Sequence, residues 1–149
     1  IFTSEGLSPA EGSCAVFKTI ALYLGMVVVF FAIDLVWLNV VAKEFYRARI
    51  GSLLLDQFNL PVGLAFYLLY IVGILVFAVL PGIDKGSVVE ALWRGALFGL
   101  VAYGTYDLTN LSTLKDWSPV LSVVDMAWGT VLTGSVASAG WWIAGRLGV

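Results

Sequence analysis

The sequence predicts an all-α fold: an integral membrane bundle of four transmembrane helices with an interfacial amphipathic segment between helices 1 and 2. Three observations predict it. The 149 residues are 60% hydrophobic and only 12% charged, about half the charge of an ordinary soluble domain. Mean hydropathy is +0.97. Four separate stretches each supply the roughly 20 mostly apolar residues that a helix needs to cross a hydrocarbon core. The same figures exclude a water-soluble monomer and a disordered chain, and the net charge of -2 excludes a nucleic-acid binder. The single cysteine, Cys14, rules out an internal disulfide. The lack of histidine rules out histidine catalysis, histidine metal ligation and histidine-held haem or chlorophyll.

The chain reads as one domain, 1–149, with a polar N-terminal extension over 1–16. Its first residue is isoleucine, so a processed or trimmed chain is expected. Ser8-Pro9-Ala10-Glu11 forms a capping-box pattern, predicting a helix that runs into the first span or kinks at Gly12. The first span covers about 17–42. The segment 43–60 is too polar to span. It interleaves Lys43, Glu44, Arg47, Arg49 and Asp56 with Phe45, Tyr46, Ile50 and Phe58. That mixture suits an amphipathic stretch at the interface, or an ordered loop. The second span covers about 61–80, opened by Asn59 and Pro61 and closed by Pro81-Gly82. The third, about 88–114, opens on a capping box from Ser87 to Glu90. The fourth, about 120–144, opens on Ser118-Pro119, an N-cap followed by proline at the first helical position.

Small residues predict where helices touch. Gly95 and Gly99 form a GxxxG pattern continued by Ala102, and Gly129, Gly134, Ser138 and Ala139 mark the fourth helix. Such residues let backbones approach closely, here within one chain rather than between copies. Glu90 and Arg94 are spaced to pair as i, i+4. Trp93, Trp117, Trp141 and Trp142 lie near span ends, where indoles anchor at the interface. Both termini fall on one side, designated face A. Lys18, Lys85, Arg94 and Arg146 lie toward it; Lys43, Arg47, Arg49 and Lys115 lie toward the opposite face B. The basic residues are evenly split and the orientation stays open.

Three aspartates stand inside spans, at an insertion cost of at least about 2.5 kcal/mol each: Asp34, Asp107 and Asp125. Counting from the span ends at 1.5 Å per residue puts all three about 9–12 Å below face B. Tyr103, Asp107 and Asn110 make one helical stripe, with Tyr106 beside it. Asn39 follows Asp34, and Trp37 and Trp128 each come three residues after an aspartate. Tyr67, with Tyr70, can face the same layer from the second span. Three readings of this layer are open. It can be structural, with buried polar groups fixing helix packing. It can be a polar cavity open to face B, taking a headgroup, a small polar molecule or a hard divalent cation. It can supply an aspartate for proton transfer.

These residues carry a family resemblance. The motifs are Asp34-Leu35-Val36-Trp37-Leu38, Phe45-Tyr46 with Gly51, Phe66 to Tyr70, the block from Ala102 to Leu114, Asp116-Trp117, and Val124 to Thr130. Over roughly 17–147 the sequence resembles the domain-of-unknown-function family DUF2177, small bacterial membrane proteins. The resemblance implies a four-helix membrane protein whose motifs coincide with the aspartate layer. It implies no reaction, substrate or cofactor.

The sequence contains no HExxH, CxxC, Walker loop or GxSxG, which points away from an enzyme of those classes. No catalytic residue, metal site or cofactor is assigned. Lipids are the expected companions; pigment or quinone contacts have no residue that demands them. The first functional expectation is an accessory or structural subunit packed among other membrane subunits, with no nucleic-acid partner. The alternatives are a stand-alone protein that binds or modifies a lipid or small polar molecule in the aspartate layer, or a small proton or solute carrier. A bacterial inner membrane or an organelle membrane suits the composition.

Overall fold

The computed structural model describes residues 9–149, with side chains from residue 12 onward. The Ser8–Glu11 capping box lies outside the described side chains. Helix α1 (Pro9–Trp37) passes Gly12 without a break. It continues through a π-helical stretch, Leu38–Ala42, into α2 (Lys43–Ile50) and a single 3-10 turn, Gly51–Leu53. The segment expected as an interfacial stretch or loop is therefore, in its first half, a continuation of the helical rod. The reason lies in its i, i+4 pattern: Tyr46 and Ile50 share one side of the helix, while Lys43, Arg47 and Arg49 are exposed.

Asn59 caps α3 (Leu60–Ile74) by accepting from the Val62 amide, with proline in the first turn. A second π-helical stretch, Leu75–Val79, leads into α4 (Leu80–Asp84). The expected stop at Pro81-Gly82 is thus corrected: helix continues four residues past position 80. Proline lacks an amide and its ring crowds the carbonyl one turn back. Here it sits in the first turn of α4, just after the wider π turn, where neither defect breaks the rod. Gly82 serves contact rather than termination, since a Cβ there would lie 2.7 Å from the Cβ of Ala91. The chain turns instead at Gly86, with φ of 60°.

Ser87 caps α5 (Val88–Thr113) by accepting from the Glu90 amide. The other half of the expected box does not form, because the Glu90 carboxylate takes Lys85, Trp93 and Arg94 instead. Ser118 caps α6 (Pro119–Leu147) from the Leu121 amide, and Gly148 ends it in the left-handed region.

Three of these rods are long and apolar enough to cross a membrane: Gly12–Leu53, Leu60–Asp84 and Pro119–Leu147. The expected third span, α5, has 26 residues, about 39 Å of helix. Its length suffices, but Glu90, Arg94 and Asp107 dilute its apolar character. It packs along α6 in the most extensive helix pairing of the bundle. Gly95 and Gly99 make that approach: a Cβ at Gly95 would fall 2.6 Å from Ala137, and one at Gly99 would overlap the Gly129 carbonyl and Thr133. The GxxxG pattern is thus used within the chain.

The apolar core joins α1, α3 and α6 through Leu22, Met26, Phe30, Ile71, Leu132 and Val136, all fully buried. A second small core of Ile50, Trp117 and Leu121 closes the face-B end. Trp117, expected as an interfacial anchor, is buried there and donates to Ser122 at 2.9 Å. Trp93 and Trp142 remain exposed near face A, while Trp141 donates to the Gly82 carbonyl at 3.1 Å.

Candidate functional site

Each in-span aspartate is buried: Asp34 is 3% exposed, Asp107 0% and Asp125 7%. They divide into two places. Asp34, on α1, accepts from the Trp128 indole at 3.4 Å and has the Tyr67 hydroxyl alongside. Trp128 in turn stacks on Trp37, with centroids 4.3 Å apart and planes 7° from parallel. Asp125, one turn along α6 from Trp128, lies within electrostatic reach of Asp34 and accepts a bond from the Tyr46 hydroxyl. The i, i+3 spacing of Asp125 and Trp128 puts both on the α1-facing side of α6.

Asp107 stands apart, between α5 and α6. Both of its carboxylate oxygens are buried without a hydrogen-bond partner, beside the Ser122 hydroxyl. Tyr103, one turn below it, packs onto Gly129, where a Cβ would overlap its ring. Tyr103 stands within electrostatic reach of both Asp34 and Asp107, and so lies between the two places. Below it, Tyr70 and Thr133 share a buried hydrogen bond of 2.7 Å.

The structure brings together Asp34, Trp37, Tyr67, Tyr103, Asp125 and Trp128. It leaves three of the expected residues outside. Asn39 is exposed and donates to the Leu35 carbonyl of its own helix at 2.7 Å. Tyr106 is 55% exposed and meets Trp117 edge-on, with Asn110 next to it. Asn39 and Tyr106 turn outward because neither spacing keeps them on the aspartate's face: Asn39 comes five residues after Asp34, and Tyr106 directly precedes Asp107, whereas Asn110, three residues after Asp107, is half-buried on its side of α5.

Several residues of the site were not placed in the aspartate layer from the sequence. Tyr46 belongs to α2, a segment read as interfacial or loop, yet it reaches Asp125. Ser122 lies three residues before Asp125 on the same helical side, a spacing that could have flagged it. Trp117 reaches the layer only because the turn before α6 folds it inward.

Three features define the chemistry. The described residues contain no group of three acidic or thiol ligands that could hold a metal ion, so the three carboxylates do not converge on one cation. Among the described residues the ion pairs are Lys85–Glu90 at 2.9 Å and Arg94–Glu90 at 2.6 Å, both toward face A. Among the described residues no lysine or arginine pairs with Asp34, Asp107 or Asp125, and Lys43, Arg47 and Lys115 are exposed. Third, the Trp37 indole N–H is buried without a partner, so the layer holds an unused donor besides its acceptors.

No curated protein and no solved structure matches the chain. Residues 19–142 match the model of the family described as "Predicted membrane protein (DUF2177)". That stretch includes all three aspartates, Tyr46 and the α5–α6 pairing, and the chain belongs to this family of predicted membrane proteins.

Proposed function

We propose that the aspartate layer receives the polar group of a membrane amphiphile or small polar molecule, one that carries positive charge and donates hydrogen bonds. The observation behind this reading is the neighbouring buried carboxylates of Asp34 and Asp125, which have no basic partner among the described residues. Buried charges ordinarily pair with an opposite charge or bind an ion, and ionisable groups inside spans mark ligand and ion sites. An ammonium group supplies the missing charge, and the unpaired Trp37 indole supplies a donor for an oxygen of the same ligand. The setting is a bacterial inner membrane or an organelle membrane. Native mass spectrometry of the protein from nanodiscs of mixed phosphatidylethanolamine and phosphatidylglycerol tests this. Wild-type protein is expected to retain phosphatidylethanolamine preferentially, and Asp34→Asn and Asp125→Asn to lose that preference. Equal retention in wild type and both variants overturns the reading.

A second reading, the accessory subunit, draws on α1. Only 22% of its apolar window is buried, against 50% for α6. Phe17, Ile20, Leu24 and Val28 form an exposed stripe along it, which either lipid tails or a neighbouring subunit would cover. The carrier reading draws less support. Below Tyr70 and Thr133 the described core is closed by Leu22, Met26, Ile74 and Val136, all fully buried apolar side chains.

A further inference from the structure

We propose that α2 is a lid over the aspartate layer, hinged at the π-helical stretch Leu38–Ala42 and latched by the bond from Tyr46 to Asp125. The first argument is geometric. From Asp34 to Tyr46 is twelve residues, about 18 Å along a straight helix. Their partners Trp128 and Asp125 are three residues apart on α6, about 4.5 Å. The π-helical stretch Leu38–Ala42 lies between the two contacts, and such a stretch is where helices commonly bend. The second argument is tethering. Within the hinge only Ala42 is buried, while Leu38, Val40 and Val41 are exposed. Beyond α2, residues 51–60 are exposed throughout. Between these two segments, which pack little on the rest of the bundle, α2 is fastened by Tyr46 on Asp125 and by Ile50 against Trp117 and Leu121, with Phe45 partly packed beside them. The third is position. Asp125 and Ser122 lie under this cover, fully or nearly buried. Lifting α2 exposes Asp125 and frees its carboxylate. π-helical turns are frequently found at functional sites.

The lid rests on the headgroup reading only for what its opening admits. Its test therefore needs no ligand. In a Cys14→Ser background, Leu121→Cys places a thiol under α2, and Leu132→Cys places one in the central core; both positions are fully buried. Maleimide labelling is followed in nanodiscs with and without Tyr46→Phe, which keeps the ring and removes the latch. We expect labelling of Leu121→Cys to quicken about tenfold, as loss of a hydrogen bond to a charged group implies, with Leu132→Cys unchanged. An unchanged Leu121→Cys rate overturns the lid. So does an equal rise at both positions, which marks a loosened bundle. Failure here leaves phosphatidylethanolamine retention untouched as a separate result.

Discussion

Gly99 and Gly145 are both helical glycines, and their surroundings differ completely. A Cβ on Gly99 would overlap the Gly129 carbonyl and lie 2.7 Å from Thr133 Cβ, while a Cβ on Gly145 meets no atom within 4 Å. Gly99→Leu is therefore expected to force α5 from α6 and to destabilise by about 1–3 kcal/mol, as overpacking does. Gly145→Ala is expected to be neutral or to stabilise by up to about 1 kcal/mol through helix propensity. Unfolding in mixed micelles with increasing SDS, read by tryptophan fluorescence, distinguishes the two. At Tyr70 and Thr133 the hydrogen bond is buried in an apolar core. A double-mutant cycle of Tyr70→Phe and Thr133→Val is expected to give a coupling of about 0.6–1.7 kcal/mol, the range for such bonds between membrane helices. Zero coupling would show that the pair contributes only packing. The three in-span aspartates were legible at this scale, because a charge in an apolar run stands out by composition alone. Their partners were not, since Tyr46 bonds Asp125 across 79 residues, Ser122 bonds the Asp107 carbonyl across 15, and Trp117 joins them only through Ser122.

At the scale of elements, helix starts were the most legible feature. Ser87, Asn59 and Ser118 each accept from an amide three residues on, because an N-cap is a local bond between a short polar side chain and its own backbone. Ser87→Ala is accordingly expected to lower stability by about 1 kcal/mol, measured in the same micelle titration. Helix ends and continuities were less legible. Pro81-Gly82 reads as a stop, yet the π-helical turn before it absorbs the proline and Ala91 explains the glycine. Gly82→Leu should then destabilise by pushing α4 from α5, whereas a chain-terminating role would tolerate it. The segment after Ala42 was ambiguous because eight residues of mixed polarity fit a helix or a loop equally well. Only the Ile50–Trp117–Leu121 cluster and the Tyr46 bond resolve it.

The whole molecule is an apolar bundle with unequal cover. α6 is central, packed by α5 on one side and α1 on another, and α1 carries a long exposed apolar stripe. Extraction in mild detergent followed by native gel and mass spectrometry of the band tests what covers that stripe. Migration as a small lipid-bearing species is expected if lipid tails cover it. Co-migration with a larger complex at fixed stoichiometry would move the weight to the accessory-subunit reading. Composition and hydropathy by themselves determined that this chain belongs in a membrane, as helices, with aspartates set in apolar runs, because hydropathy is a local quantity that sums along the chain. The tertiary structure alone decided that the aspartates form two places rather than one cluster, that Asn39 and Tyr106 face outward, and that α2 closes over Asp125. Those depend on the rotation of each helix about its axis, which is set by how the helices pack against one another and not by any one segment's residues.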